Sequence, residues 1–284
     1  MRASKSVEMP GTANEQRTRA LFPLSRRWRA LRTGLAYLAY GAGGVVLSTL
    51  ILPLQRHFTR DGARAEMRAQ RIIRHGYRFF IWIMASLGLI HVRRIGCERL
   101  QAPGPLLIVA NHPSLIDSAL LGALLPEVDC IANTGWADNP FIRGAAAAAG
   151  YIRNDDGGAA VDEAVRRLRA GRRLLVFPEG TRSPERSLGS FQRGAAHIAL
   201  RANCPFTPVV ITVEPPSLMK GQKWYDVPER TMEIQIEVPS PLHLKTFLIG
   251  NETVSLAARR VTAGLREFFQ KRLEERGTSG SPGN

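Results

Sequence analysis

Cysteine is scarce in this chain of 284 residues: there are three, Cys97, Cys130 and Cys204, odd in number and far apart. That spacing excludes a disulfide frame and reads as reduced packing residues of an intracellular domain. No paired cysteines at metal-ligand spacing and no His-Glu-x-x-His sequence occur, so no metal site is expected. A Gly-x-Ser-x-Gly turn is missing as well, which removes the nucleophilic serine of the α/β-hydrolases. Acidic residues are outnumbered, 24 against 39 Lys and Arg, for a formal charge of +15. Such an excess calls for an anionic partner or surface. Aromatics amount to 7%, and few stand beside the basic clusters. With no zinc-finger, homeodomain or RNA-recognition signature either, nucleic acid is not the expected partner. An anionic membrane leaflet suits the charge better. No internal repeat is visible, and no cleavage site of a secretory signal follows the first apolar run.

What the chain does have is a 44% hydrophobic content, enough for one sizeable core with appendages. Residues 1–24 are polar and are expected to be disordered. Residues 25–90 read as membrane-associating helices. Thr33 to Leu54 carries no charge and is long enough to cross the hydrocarbon layer. Yet arginines flank both ends: Arg26, Arg27, Arg29 and Arg32 before it, Arg56, Arg60, Arg64 and Arg68 after it. Positive residues prefer the cytoplasmic side, so both ends are drawn the same way. A bent segment dipping into one leaflet satisfies both; a plain span and a buried helix are the alternatives. Arg60, Arg64, Arg68, Arg71, Arg74 and Arg78 then recur at helical spacing and predict a basic stripe against lipid phosphates. Phe79 to Ile90 is apolar but too short to span, and reads as an interfacial or core helix.

From His91 the pattern becomes short strands alternating with helices, over residues 91–276. Leu106 to Ala110 is a short apolar run, the mark of a buried strand. It ends abruptly in Asn111 and His112, with Pro113 and Ser114 opening a helix. Open α/β sheets keep their chemistry at the carboxyl ends of such strands. On one continuous helix His112 and Asp117 would lie about 140° apart, because five residues advance roughly 500°. With the helix starting near Pro113, Asp117 falls in its first turn and can reach back to one imidazole nitrogen, leaving the other as a general base. The bland reading is an exposed histidine beside an N-cap and an aspartate favoured by the helix dipole. A second strand, Arg173 to Phe177, runs into Pro178-Glu179-Gly180-Thr181-Arg182-Ser183. Arg182 offers a planar fork suited to phosphate. Gly180 and Thr181 offer close backbone approach and a hydroxyl, and Glu179 an acceptor that aligns a neighbouring donor.

Asn111–Asp117 and Phe177–Ser183 together resemble the first and third blocks of the glycerolipid acyltransferases. The likeness extends to Phe191–Ala196 and to Thr207–Val210, the fourth block, and covers roughly Cys97 to Leu242. The second block is matched by the compact Gly150-Tyr151-Ile152-Arg153, followed by Asn154, Asp155 and Asp156. The resemblance implies a His112–Asp117 dyad and acyl transfer from a thioester, acyl-CoA or acyl carrier protein, used as a co-substrate with no resident cofactor. It also implies a lysophospholipid acceptor held by Glu179, Gly180, Thr181 and Arg182, with Arg153 as a further substrate-binding residue. The altered second block leaves the acceptor open to an ornithine-type or specialised lipid. A thioester hydrolase and a non-enzymatic membrane adaptor are the other readings.

The fold expected is α/β: a mixed, largely parallel sheet flanked by helices, preceded by the membrane-associating segment. Helices are expected over Leu115–Leu125, Pro140–Ala149, the segment holding Val161, Ala164, Val165 and Leu168, Gly194–Ala202, and Asn251–Arg276. In the third of these, Asp162 and Glu163 are placed in the first turn. His197 reads as a packing or surface residue. Backbone N–H groups just after His112 are the expected oxyanion donors. Residues 277–284 should be a disordered tail. The expected location is the cytoplasmic membrane of a bacterium, with the catalytic domain on the cytoplasmic side.

Overall fold

The structure, a computed structural model, describes residues 26–132, 135, 142–184, 187–250 and 252–278. The polar N-terminus, the start of the Pro140 helix and the last six residues of the tail lie outside them.

Seven strands form one sheet: β1 (Ile90–Ile95), β2 (Leu106–Ala110), β3 (Asp129–Ala132), β4 (Ile152–Arg153), β5 (Arg173–Val176), β6 (Phe206–Glu214) and β7 (Met232–Glu237). Their order is β1-β7-β6-β2-β5-β3-β4. Every neighbouring pair is parallel except β6 with β7. Strands buried on both faces read as unbroken apolar runs, which is why Leu106–Ala110 was legible. Alternate residues of β2 feed two cores. Ile108 and Ala110 join Ala36, Phe80 and Leu120 on one face. Leu107 and Val109 join Leu168, Ile198 and Phe269 on the other.

Helices cover both faces. The first is carried by α1 (Arg26–Val46), α2 (Leu52–His57), α3 (Gly62–Ser86) and α4 (Asp117–Leu124). The small helix α5 (Arg143–Ala148) packs beside them. The second face is carried by α6 (Gly157–Arg169), α7 (Gly194–Ala202) and α8 (Val254–Thr278). The last helix therefore runs two residues into the segment read as a tail.

From Arg26 to His57 the chain stays helical, with one turn, Leu47–Ile51, widened to a π-helix ahead of Pro53. A residue without an N–H breaks the regular ladder, and a π turn absorbs such a break. This helix is long and apolar enough to cross a membrane by length and composition. Thr33, Ala36 and Leu52 are buried against the rest of the chain, whereas Leu31, Leu35, Leu38, Leu50 and Leu54 are exposed. Helix α3 starts at Asp61, whose side chain accepts from the N–H groups of Ala63 and Arg64, a standard N-cap. Its arginines are less free than expected. Arg64 faces Asp61, Arg68 donates to the Thr59 hydroxyl, Arg71 pairs with Glu127, and Arg74 donates to the carbonyl of Ala123 near the end of α4. Protein groups thus engage much of the stripe that was expected to face lipid. At the end of α3, Phe79 and Trp82 are exposed and stacked, 5.8 Å apart.

Helix α6 starts earlier than its apolar spacing suggested. Asp156 caps it through the N–H groups of Gly158 and Ala159. Asp162 and Glu163 therefore sit in the second turn and act as ion-pair partners. Glu163 binds Arg166 and Arg167, and Asp162 binds Arg201. The Arg166 hydrogen bond, with help from Arg167, holds the Glu163 carboxyl down at about 2 despite partial burial.

A buried charge cluster joins α3 to the sheet. Asp129 is fully buried, and its Oδ1 accepts from Gln70, Arg167 and Arg172. Arg172 also reaches Glu66. Removing one member of such a set strands the others in low dielectric. Asp129→Ala is expected to lower unfolding stability by about 3 kcal/mol, the lower end for breaking a buried pair because Arg172 keeps some water contact. Urea denaturation of the two proteins measures it.

Candidate active site

Strands β2 and β5 are neighbours, with Val109 opposite Val176. Their polar ends leave the sheet side by side, one strand spacing apart. Before His112 the chain is fixed by Asn111, which is buried and pairs with β6 in both directions: its Nδ2 donates to the Ile211 carbonyl and its Oδ1 accepts from the Ile211 N–H, each at 2.8 Å.

His112 Nδ1 lies 2.8 Å from Asp117 Oδ2. Asp117 is fully buried. Its carboxyl also accepts from the Ser114 N–H at 2.6 Å and the Ser114 hydroxyl at 2.5 Å, so both oxygens are satisfied. With Nδ1 tied to the carboxyl, Nε2 is the nitrogen left for a substrate. The helix begins at Asp117 itself, not near Pro113; Asn111 to Ile116 form the loop that lets His112 and Asp117 meet.

The second turn is stitched to the first. Glu179 is buried. Its Oε1 accepts from the His112 N–H at 3.0 Å and the Ser183 hydroxyl at 2.8 Å, and its Oε2 accepts from the Gly189 N–H at 2.8 Å. The Ser183 N–H donates to the His112 carbonyl at 2.7 Å. The imidazole stacks on Phe177, 4.4 Å between centroids. Gly180 turns the chain with φ +67, a conformation that favours glycine. A Cβ at Gly189 would lie 2.6 Å from Glu179 Oε2, so the carboxylate needs glycine there. Thr181 is exposed beside this turn.

Arg182 is oriented by carbonyls of a distant loop: its Nη1 donates to Leu218 and Met219, at 3.1 and 2.9 Å. That leaves the rest of its donor fork for another group. The Leu218 carbonyl also accepts from the Leu115 N–H. Nothing in the sequence around Leu218 announces this, because backbone carbonyls carry no sequence signal. The N–H groups of His112, Ser114 and Leu115 are all engaged, by Glu179, Asp117 and Leu218.

His112, Glu179, Gly180, Thr181 and Arg182 line one cavity of about 1630 Å³. Tyr37, Tyr40, Tyr77 and Phe80 line it from the α1–α3 side. The Tyr37 hydroxyl is buried without a hydrogen-bond partner. His197, expected as a packing or surface residue, is half-buried and lines the cavity as well. Arg153 does not join the lining; it is exposed, with its Nε 2.7 Å from Asp155. Asn154, the next residue, does. Cys130 lines the cavity too, but burial and the nearby Asp129 push its thiol up to about 12, which denies it the thiolate form a nucleophile needs. Among the described residues no three His, Cys, Asp or Glu side chains gather as a metal site.

Fold and site define a class: an α/β chain with a His–Asp pair and an arginine-bearing turn on adjacent strand ends, opening to one cavity. Residues 91–212 match the family model described as Acyltransferase. The chain is 32% identical over 146 residues to the 1-acyl-sn-glycerol-3-phosphate acyltransferase of Saccharomyces cerevisiae, 48% of this chain and 47% of that protein. It is 35% identical over 119 residues to the lyso-ornithine lipid O-acyltransferase of Pseudomonas aeruginosa, 38% and 43% of the two chains. The chain thus spans about half the length of these curated relatives. The crystal structure of the 1-acyl-sn-glycerophosphate acyltransferase of Thermotoga maritima superposes with a TM-score of 0.66 at 21% identity, over 90% of this chain and 100% of that one, a likeness of fold.

Glu179→Gln tests the stitch. An amide cannot accept at both ends, so one buried donor loses its partner, at about 1–3 kcal/mol. A fall in the thermal unfolding midpoint is expected; an unchanged midpoint would show that the three contacts contribute nothing.

Proposed function

We propose that the chain is a membrane-associated O-acyltransferase. It moves a fatty acyl group from an acyl thioester, acyl-CoA or acyl carrier protein, to the hydroxyl of a lysophospholipid such as 1-acylglycerol-3-phosphate. The supporting observation is the His112–Asp117 hydrogen bond at 2.8 Å in a cavity that also receives Arg182. The relatives' names supply the substrate class.

His112 Nε2 takes the hydroxyl proton as the acceptor oxygen bonds to the thioester carbonyl carbon. Asp117 holds Nδ1–H and steadies the imidazolium. Collapse of the tetrahedral adduct breaks the C–S bond, and the proton on His112 leaves with the thiol. Ester and free thiol are the products, and no resident cofactor takes part. Arg182, held by Leu218 and Met219, receives the acceptor's phosphate, with Gly180 and Thr181 beside it. Glu179 positions His112 through its N–H.

The exposed apolar face of α1, with Phe79 and Trp82 on α3, lies in the cytoplasmic leaflet of a bacterial inner membrane. Basic flanks at both ends and the seating of the other helix face on the domain favour an embedded helix over a crossing one.

A second reading keeps the reaction and changes the acceptor to an ornithine-type lipid. The exposed position of Arg153, outside the cavity lining, favours it, as does the similarity to a lyso-ornithine lipid O-acyltransferase. Mass spectrometry of products from labelled acyl donor and a panel of lysolipids separates the two. Equal thioester loss with and without acceptor would point to a hydrolase.

His112→Ala is expected to lower kcat by about 10²- to 10⁴-fold, the range for a positioned base, with the unfolding midpoint retained; full turnover would end the dyad reading. For Arg182→Ala, steady-state kinetics should give a higher KM for a phosphate-bearing acceptor and little change for a phosphate-free one.

A further inference from the structure

The cavity has two ends of opposite character. Towards α1 and α3 it is lined by Tyr37, Tyr40, Tyr77 and Phe80; towards α7 it is lined by Arg193, His197 and Arg201. These three recur every four residues, so each step drifts only about 40° around the helix, and the set makes one face about 12 Å long. Arg193 and Arg201 are exposed and His197 is half-buried. Among the described residues no hydrogen bond or ion pair engages the side chains of Arg193 or His197. Arg201 meets Asp162 at 2.6 Å, but both side chains are open to water, at 45% and 65% exposure, so that pair is screened and leaves the cation available. Glu179, the other carboxylate in the lining, has both oxygens filled from within. Arg193 also lines a second hollow of about 340 Å³ with Ser190, Arg259, Thr262 and Arg266. The stripe starts beside the catalytic turn: the Gln192 N–H donates to the Pro178 carbonyl at 2.7 Å.

We infer that this face of α7 docks the phosphorylated pantetheine arm of the thioester donor. Arg193 and Arg201 take the phosphate, and the arm runs past Gln192 to present the thioester to His112. The inference rests on the proposed thioester reaction. With Arg182 given to the acceptor's phosphate, charge complementarity leaves the α7 cations to the other phosphate-bearing substrate, the donor. The apolar end suits hydrocarbon and the α7 end suits an anion, and a pantetheine thioester carries an acyl chain at one end and a phosphate at the other. Arginine forks match phosphate oxygens. Coenzyme A and the prosthetic arm of acyl carrier protein share this chemistry. The hollow lined by Arg193, Arg259 and Arg266 would take the additional anionic groups of either carrier.

The test is calorimetric titration of coenzyme A and, separately, phosphopantetheinyl acyl carrier protein into wild type, Arg193→Glu, Arg201→Glu and Arg193→Lys, with unfolding midpoints as the control for folding. Wild type should bind at least one carrier, and the one it binds identifies the source. Arg193→Glu should weaken that binding about tenfold or more, the scale of one charge-assisted hydrogen bond, and Arg193→Lys should retain most of it. Pantetheine without its phosphate should bind more weakly than the phosphorylated form and be indifferent to Arg193→Glu. Equal affinity of wild type and both glutamate variants, or no binding of either carrier by wild type at millimolar concentration, would overturn the docking site. A wild type that binds a carrier but transfers no acyl group would sink the proposed function and leave the docking site standing.

Discussion

The geometry of the site depends on one buried carboxylate. Glu179 accepts from the backbone of His112, from the Ser183 hydroxyl and from the backbone of Gly189, and so ties together the ends of two strands that no short loop connects. A buried carboxylate with vacant lone pairs is costly; one with its acceptors filled is a rigid junction. The imidazole is placed by this junction as well as oriented by Asp117, because the backbone N–H of His112 is one of the three donors to Glu179. Adjacency of β2 and β5 makes the junction possible, and a glycine at 189 leaves room for it.

Around that junction the sheet edge separates two environments. On one side α1 and α3 bring aromatic and apolar surface to the cavity, and they continue into exposed Leu31, Leu35, Leu38, Phe79 and Trp82. On the other side α6 and α7 bring polar and cationic side chains. The Asp129 cluster, reaching Gln70 and, through Arg172, Glu66, anchors the first side to the sheet, so the helices and the sheet edge that carries His112 are held in one geometry.

Much of this was legible from residues. Leu106–Ala110 and Arg173–Val176 could be read as buried strands because strands covered on both faces are apolar without alternation. His112 and Asp117 could be paired because the break after Ala110 takes His112 off any helix. Other features were less legible. Asp162 and Glu163 suit a first turn because carboxylates favour the helix dipole there, but Asp156, six residues before Asp162, supplies the cap. The arginines of α3 looked free for lipid because a helical wheel does not show that Glu127, Thr59 and the Ala123 carbonyl lie within reach. For His197 the spacing left packing and surface as the readings, because it does not show which face of α7 borders a cavity.

The sequence by itself determined the alternation of strands and helices, the polar strand ends and the local His112–Asp117 pair, because each follows from burial, backbone preference or short-range spacing. Tertiary structure alone decided that Glu179 would hold His112, that Leu218 and Met219 would aim Arg182, and that Arg193, His197 and Arg201 would face the same cavity while Arg153 would not. Those contacts join residues far apart in the chain, and several use main-chain carbonyls or N–H groups. Such groups are identical at every position and acquire a partner only when the sheet order brings them into range.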